Sequence, residues 1–147
     1  MPGAASLKAR QYYAHPHNQF WRIMNELFGA GPEISYAARV RKLVSQKVAV
    51  WDVLKHCERA GSLDSSIVRE SEVANDFKRF FQRHPHIRAI FFNGARAEHA
   101  FARHVLTLLQ KPLASLRFER LPSTSSAHAG RSFQHKLREW RRITEFL

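Results

Sequence analysis

The sequence predicts an α/β fold, with helices layered on a mainly parallel sheet. Two runs, VAVW at 48–51 and IRAIFF at 87–92, are apolar on both faces, as buried parallel strands are. Amphipathic stretches of helical spacing alternate with such runs, the pattern of strand–helix–strand units. The chain has 147 residues and 44% apolar content, enough to bury a core, and no repeat, low-complexity tract or linker divides it. One domain over residues 1–147 is expected.

Taken in order, MPGAASL (1–7) reads as a loop because of its Pro-Gly turn. In YYAHPHNQFW (12–21), Pro16 disfavours the helical region for His15 and suits a helix's first turn, so a loop enters a helix near Asn18. Phe20, Ile23, Met24, Leu27 and Phe28 form its stripe, and Gly29, Gly31 and Pro32 end it. Ser35 can cap a second helix to about Gln46, with Arg39, Arg41 and Lys42 toward solvent. VAVW is the next strand. Asp52 follows it, and Val53 to Arg59 is expected as a short helix. GSLDSS (61–66) is a polar turn, and Val73 to His84 a helix stopped by Pro85. After IRAIFF, Asn93-Gly94 turns into a helix from Ala95 to about Gln110. Ser115 to Leu121 is a third strand, LPSTSSAHAG (121–130) a loop, and about Ser132 to Phe146 the last helix. Phe133, Leu137, Trp140 and Leu147 form its apolar stripe, leaving Lys136, Arg138, Arg141 and Arg142 as a basic exterior.

There are 24 Lys and Arg against 12 Asp and Glu, a net charge of +12. That balance fits either an ordinary basic protein or a polyanion partner, nucleic acid being the usual one. The single cysteine, Cys57, excludes an internal disulfide and fits a reducing cytosol. No apolar run approaches a bilayer span, and the N-terminus lacks a signal-peptide core, so a soluble cytoplasmic protein is expected.

In parallel sheets, ligands sit beyond the carboxyl ends of the strands. Those positions hold Asp52, Asn93-Gly94 and Ser123 to His128, and they point with the aromatic loop to one region. The two His-Pro-His units (15–17 and 84–86) give no helical ligand pairing, and neither HExxH nor paired cysteines occur, so no metal or cofactor is expected. Walker and dinucleotide glycine motifs are absent. Ser123, Ser125 and Ser126 with His128 form no nucleophile elbow, and such hydroxyls mostly serve their own backbone. On spacing alone, Asn18 and Asp52 would each be a helix cap more often than a catalyst.

The set and its order say more. MPGAASL, QYYAHPHNQFWRIM, AVWDVLKHCERAGSLDSSI, NDF, FFNGARA and LPSTSSAHA, spread over roughly residues 1 to 130, resemble the deoxyinosine (hypoxanthine) DNA glycosylases of the uracil-DNA glycosylase superfamily. The resemblance implies a three-layer sandwich on a four-stranded parallel sheet that flips a deaminated base from damaged DNA and hydrolyses its glycosidic bond without a metal. It puts the catalytic asparagine at Asn18 and the base-reading position at Asp52. It makes the segment holding Ser123, Thr124, Ser125 and His128 the one that grips DNA and serves the leaving base. Tyr12, Tyr13, Phe20 and Trp21 offer a stacking wall of which only one or two can face the base, Tyr13 and Phe20 being the candidates and Phe20 the better one, while Trp21 suits the core equally. Asn18 is neutral, so it can orient water but not act as a strong base. An ionised Asp52 only accepts, which matches the N1–H of hypoxanthine and opposes the bare N1 of adenine.

Two departures stand out. The family's strand ending in ILGS ahead of MPG is not in this chain, so an N-terminally incomplete domain, lacking the first strand, is expected. STSSA replaces the expected STSPA, leaving Ser126 where proline would stiffen the loop. The expected protein is a monomeric base-excision glycosylase for hypoxanthine. A uracil- or xanthine-preferring relative and a non-catalytic nucleic-acid-binding protein of the same fold are the alternatives.

Overall fold

A computed structural model describes residues 2–61, 66–109, 116–128 and 130–147. The expected endpoints Gln110 and Ser115, most of the 61–66 turn and Ala129 lie outside those residues. The chain forms two compact units, one of Asp52–Arg120 and one of Pro2–Trp51 with Leu121–Leu147. Among the described residues, helices and two two-stranded sheets make it a mixed α/β protein.

The terminal unit begins with α1 (Ala4–Ala9), where a loop is expected. Gly3 is extended and caps a run of Ala, Leu and Lys, good helix formers whose propensity outweighs the Pro-Gly signal. Next, α2 (Phe20–Phe28) buries Phe20, Trp21, Ile23 and Met24 and ends at Gly29, whose φ of 62° suits a residue without Cβ. The third helix, α3 (Tyr36–Ser45), starts as expected, with the Ser35 hydroxyl accepting from Ala38 N at 3.3 Å. Arg39 does not face solvent as expected. Its guanidinium donates to the carbonyls of Ile34 and Pro32 and lies 5.3 Å from the Trp21 ring centroid.

VAVW is not a strand: residues 48–51 are irregular and Trp51 is 40% exposed. An apolar run becomes a buried strand only where a neighbour takes up its ladder bonds, and residues 48–51 form no ladder with the described residues.

In the Asp52–Arg120 unit, β1 (Leu54–His56) replaces the expected helix at 53–59 and pairs antiparallel with β2 (Val73–Ala74) through an irregular register. Only Leu54 of β1 is buried, so nothing there supplies a helical apolar stripe. The expected 73–84 helix is correspondingly shorter: α4 (Phe77–Arg83) begins where the Asp76 carboxylate accepts from Arg79 N at 2.9 Å. β3 (Ala89–Asn93) leads through Gly94 (φ 93°) into α5 (Ala95–His104), followed by a 3₁₀ turn at Leu106–Leu108. β4 (Arg117–Leu121) pairs with β3. Phe77, Phe92, Phe101 and Val105 form this unit's core, with ring centroids 5.1 Å apart for Phe77–Phe101 and 5.2 Å for Phe92–Phe101.

The chain closes in the terminal unit with α6 (Phe133–Trp140), capped by Ser132, and a 3₁₀ stretch at Arg141–Phe146. Leu137, Trp140 and Ile143 are buried there, whereas Leu147 is exposed. Lys136 is not part of a basic exterior: it is only 2% exposed.

Candidate active site

The loop that carries Asn18 is anchored on both sides. The Ser6 hydroxyl of α1 accepts from Ala14 N at 3.1 Å, and the Tyr36 hydroxyl of α3 accepts from Tyr12 N at 3.1 Å. Trp21 Nε1 donates to the Tyr12 carbonyl at 2.9 Å, so a core ring of α2 also pins the loop's start. His15 to Asn18 forms a turn in which Asn18 N donates to the His15 carbonyl at 2.9 Å.

Asn18 sits at the mouth of α2, half-buried. Its Oδ1 accepts from Phe20 N at 3.0 Å. Only the carbonyl end of an amide can accept from an N–H, so this bond fixes which end is which. Gln19 is the N-cap of α2 and makes no side-chain cap bond; Asn18, one residue before it, supplies this acceptor, and that turn role is compatible with a chemical one. Oδ1 keeps a second lone pair, and the amide is held in one orientation by the helix it starts.

Phe20 is 3% exposed. Tyr13 lies on its face, with centroids 4.0 Å apart and planes at 24°, while Trp21 and Trp140 meet it edge-on at 5.0 and 5.7 Å. No free face of Phe20 is presented to solvent; the half-buried Tyr13 ring covers it. Tyr13 adopts a left-handed backbone (φ 55°), a conformation uncommon for an aromatic residue and a form of local strain.

The 121–128 loop joins Asn18 in this unit. Gln19 N, directly after Asn18, donates to the Thr124 carbonyl at 2.9 Å, and Thr124 is fully buried. Trp140 Nε1 donates to the Pro122 carbonyl at 2.9 Å, and Lys136 Nζ to the His128 carbonyl at 3.0 Å. The hydroxyls work locally: Ser123 Oγ accepts from Ser125 N at 3.2 Å, and Ser125 Oγ from Ala127 N at 3.3 Å. His128 N donates to the Ser125 carbonyl, and its side chain is exposed. Carbonyls thus turn toward the scaffold while the His128 imidazole remains accessible.

Sequence reasoning missed Lys136, although its spacing from Phe133 and Trp140 places it on the apolar stripe of α6. Gln19 was missed too, and its Oε1 is buried without a partner among the described residues.

Asp52 belongs to the other unit and is half-buried. Its carbonyl accepts from Asn75 Nδ2 at 2.8 Å, and Val53 O accepts from Asn75 N at 2.9 Å, so Asn75 of the NDF segment fixes the backbone at Asp52. No helix follows Asp52, which removes the capping explanation for it. In the same unit, the Glu72 carboxylate is buried between Arg96 and His104 of α5. Burial alone would raise its pKa, but hydrogen bonds and charge from His104 and Arg96 outweigh burial and hold it below the ordinary 4.5.

Comparison with known proteins fits these motifs. No family model matches the chain. It is 34% identical to a hypoxanthine DNA glycosylase of Methanosarcina barkeri over 98 residues, which is 66% of this chain and 61% of that protein. A hypoxanthine DNA glycosylase of Methanosarcina acetivorans is 35% identical over 98 residues, again 66% and 61%. The matches therefore span about three-fifths of those curated relatives. A solution NMR structure of a candidate uracil DNA glycosylase from Methanosarcina acetivorans superposes with a TM-score of 0.76 and 29% identity, covering 97% of this chain and 83% of that one.

Proposed function

We propose that this protein is a monofunctional DNA glycosylase of base-excision repair, releasing hypoxanthine from deaminated adenine in DNA. The observation that carries this reading is the fixed amide of Asn18 beside the 121–128 loop, in a chain similar to two hypoxanthine DNA glycosylases. The same reading includes a single domain, a four-stranded mainly parallel sheet, and a cytoplasmic monomer acting on damaged DNA.

The chemistry follows from the residues. The target base leaves the duplex, at a cost of a few kcal/mol that a damaged pair lowers. Water held on the second lone pair of Asn18 Oδ1 attacks C1′ as the C1′–N9 bond breaks. The electron pair leaves with the purine, which takes up a proton from solvent as the attacking water releases one to it, and an abasic sugar remains. The asparagine contributes placement rather than basicity, and helix-mouth N–H groups or the His128 imidazole balance the leaving charge. The stacking surface is Tyr13, or Phe20 once Tyr13 moves aside. Asp52 reads the N1–H of hypoxanthine as an acceptor.

The test is an inosine-containing duplex incubated with protein, then alkali to cut abasic sites, with Asn18→Ala as control. Intact strands from the wild type would reject the reading. The neighbouring candidate uracil DNA glycosylase structure favours a second substrate, so uracil and xanthine duplexes belong in the same panel.

A further inference from the structure

We infer that Lys136 is a positioning residue for the 121–128 loop: its buried side chain ties the far end of that loop to α6. This rests on the glycosylase reading for its functional consequence, and on geometry for its structural one.

A lysine at a helix surface normally runs its stem over apolar neighbours and keeps its ammonium in water. Lys136 does not, being 2% exposed with Nζ 3.0 Å from the His128 carbonyl. A buried ammonium is expensive unless paired, and among the described residues no carboxylate pairs with it. A core selected for stability alone would hold methionine or leucine here. Burial lowers the ammonium's pKa from its ordinary value.

What the charge secures is visible in the loop. Three loop carbonyls are held from the scaffold: Pro122 by Trp140, Thr124 by Gln19 and His128 by Lys136. The first two hold the near end and the middle. The remaining bonds at the far end, from His128 N to Ser125 O and from Ala127 N to Ser125 Oγ, lie within the loop itself. Among the described residues, Lys136 alone is seen tying residues 125–128 to a helix. Without that tie, the loop keeps its local turns but its exposed imidazole loses its aim. Ser126, where proline would stiffen the loop, leaves more of that task to the lysine.

The test compares wild type, Lys136→Met and Lys136→Arg in two measurements. In hydrogen exchange without DNA, Lys136→Met should speed exchange at residues 123–128 about tenfold while α2 and the rest of α6 stay protected. With inosine duplex in single-turnover excision, its maximal rate should fall about tenfold with the half-saturating protein concentration unchanged, and Lys136→Arg should recover part of that loss. Faster exchange throughout the terminal unit with a large loss of Tm would make Lys136 an ordinary structural residue and overturn the proposal. So would unchanged exchange in the loop. A wild type inert on every lesion would reject the glycosylase reading, and the exchange contrast would still decide the role of Lys136.

Discussion

Gln19 and Thr124, 105 positions apart in sequence, share a main-chain hydrogen bond of 2.9 Å from Gln19 N to the Thr124 carbonyl. The residue after Asn18 is therefore the one that secures the start of the STSSAH segment. Movement at the mouth of α2 and movement of that segment are coupled through this bond, so substitutions at either should be read on both.

Asn18→Ala removes the acceptor for Phe20 N and should cost about 1 kcal/mol of stability, the usual worth of one hydrogen bond. Asn18→Asp retains an acceptor at a helix N-terminus and should keep the wild-type Tm. Base release by Asn18→Ala should drop by roughly 100-fold or more, the scale of losing one preorganised polar contact. Wild-type release rates from Asn18→Ala, alongside a lowered Tm, would leave Asn18 as a structural acceptor for Phe20 N and nothing else.

Tyr13 gives an inverted order of stabilities. Its left-handed φ of 55° penalises any side chain, so Tyr13→Gly should be more stable than Tyr13→Ala in urea melts, reversing the usual alanine advantage. Beyond that, Tyr13→Ala forfeits about 1 kcal/mol of ring pairing in the 4.0 Å stack. Equal melts for Gly and Ala would mean that the backbone is not strained there.

Glu72 sets an acid limb. Its folded pKa lies below the ordinary 4.5, so the unfolded chain binds the proton first as pH falls. The stabilisation is fully present above that ordinary value and is lost as pH drops through the lower, folded one. Glu72→Gln should cost about 3 kcal/mol at neutral pH, since it leaves Arg96 and His104 without their buried partner. Stability of the variant should also depend less steeply on pH below 4.5. Parallel curves for the two proteins in denaturant titrations across pH would refute the assignment.

The exposed guanidiniums at the chain's end should act on DNA as point charges. Arg138→Ala and Arg141→Ala should each reduce the slope of log affinity against log salt by about 1, with no preference for the lesion. Lys136→Met should leave the slope unchanged, because a buried ammonium releases no counterion. A slope lowered by Lys136→Met would place that side chain on the DNA rather than in the core.

The helices were legible wherever caps and stripes agreed: Ser35 before α3, Ser132 before α6 and Gly29 after α2 stand where local chemistry puts them, whereas α4 starts after Asp76 rather than at the expected Val73. VAVW was not legible, because a strand is completed by a neighbour that no local pattern names. The 54–56 strand failed for a related reason, with one buried leucine too small a signal for either period. At the site, the motifs made Asn18 and the 123–128 segment candidates, but the Gln19–Thr124 bond that joins them is long-range and silent in sequence. Lys136 was hidden by its own type, since lysine is almost never fully buried.

The Tyr13–Phe20 stack bears on what a free base could achieve here. A nucleobase entering against Phe20 would not fill an empty slot; it would exchange with a ring already seated at 4.0 Å. The gain is then the difference between two stacks, far smaller than either. Loose bases should compete poorly, and recognition would fall to groups that tyrosine cannot imitate: the polar edge of the base and the sugar and phosphates that deliver it.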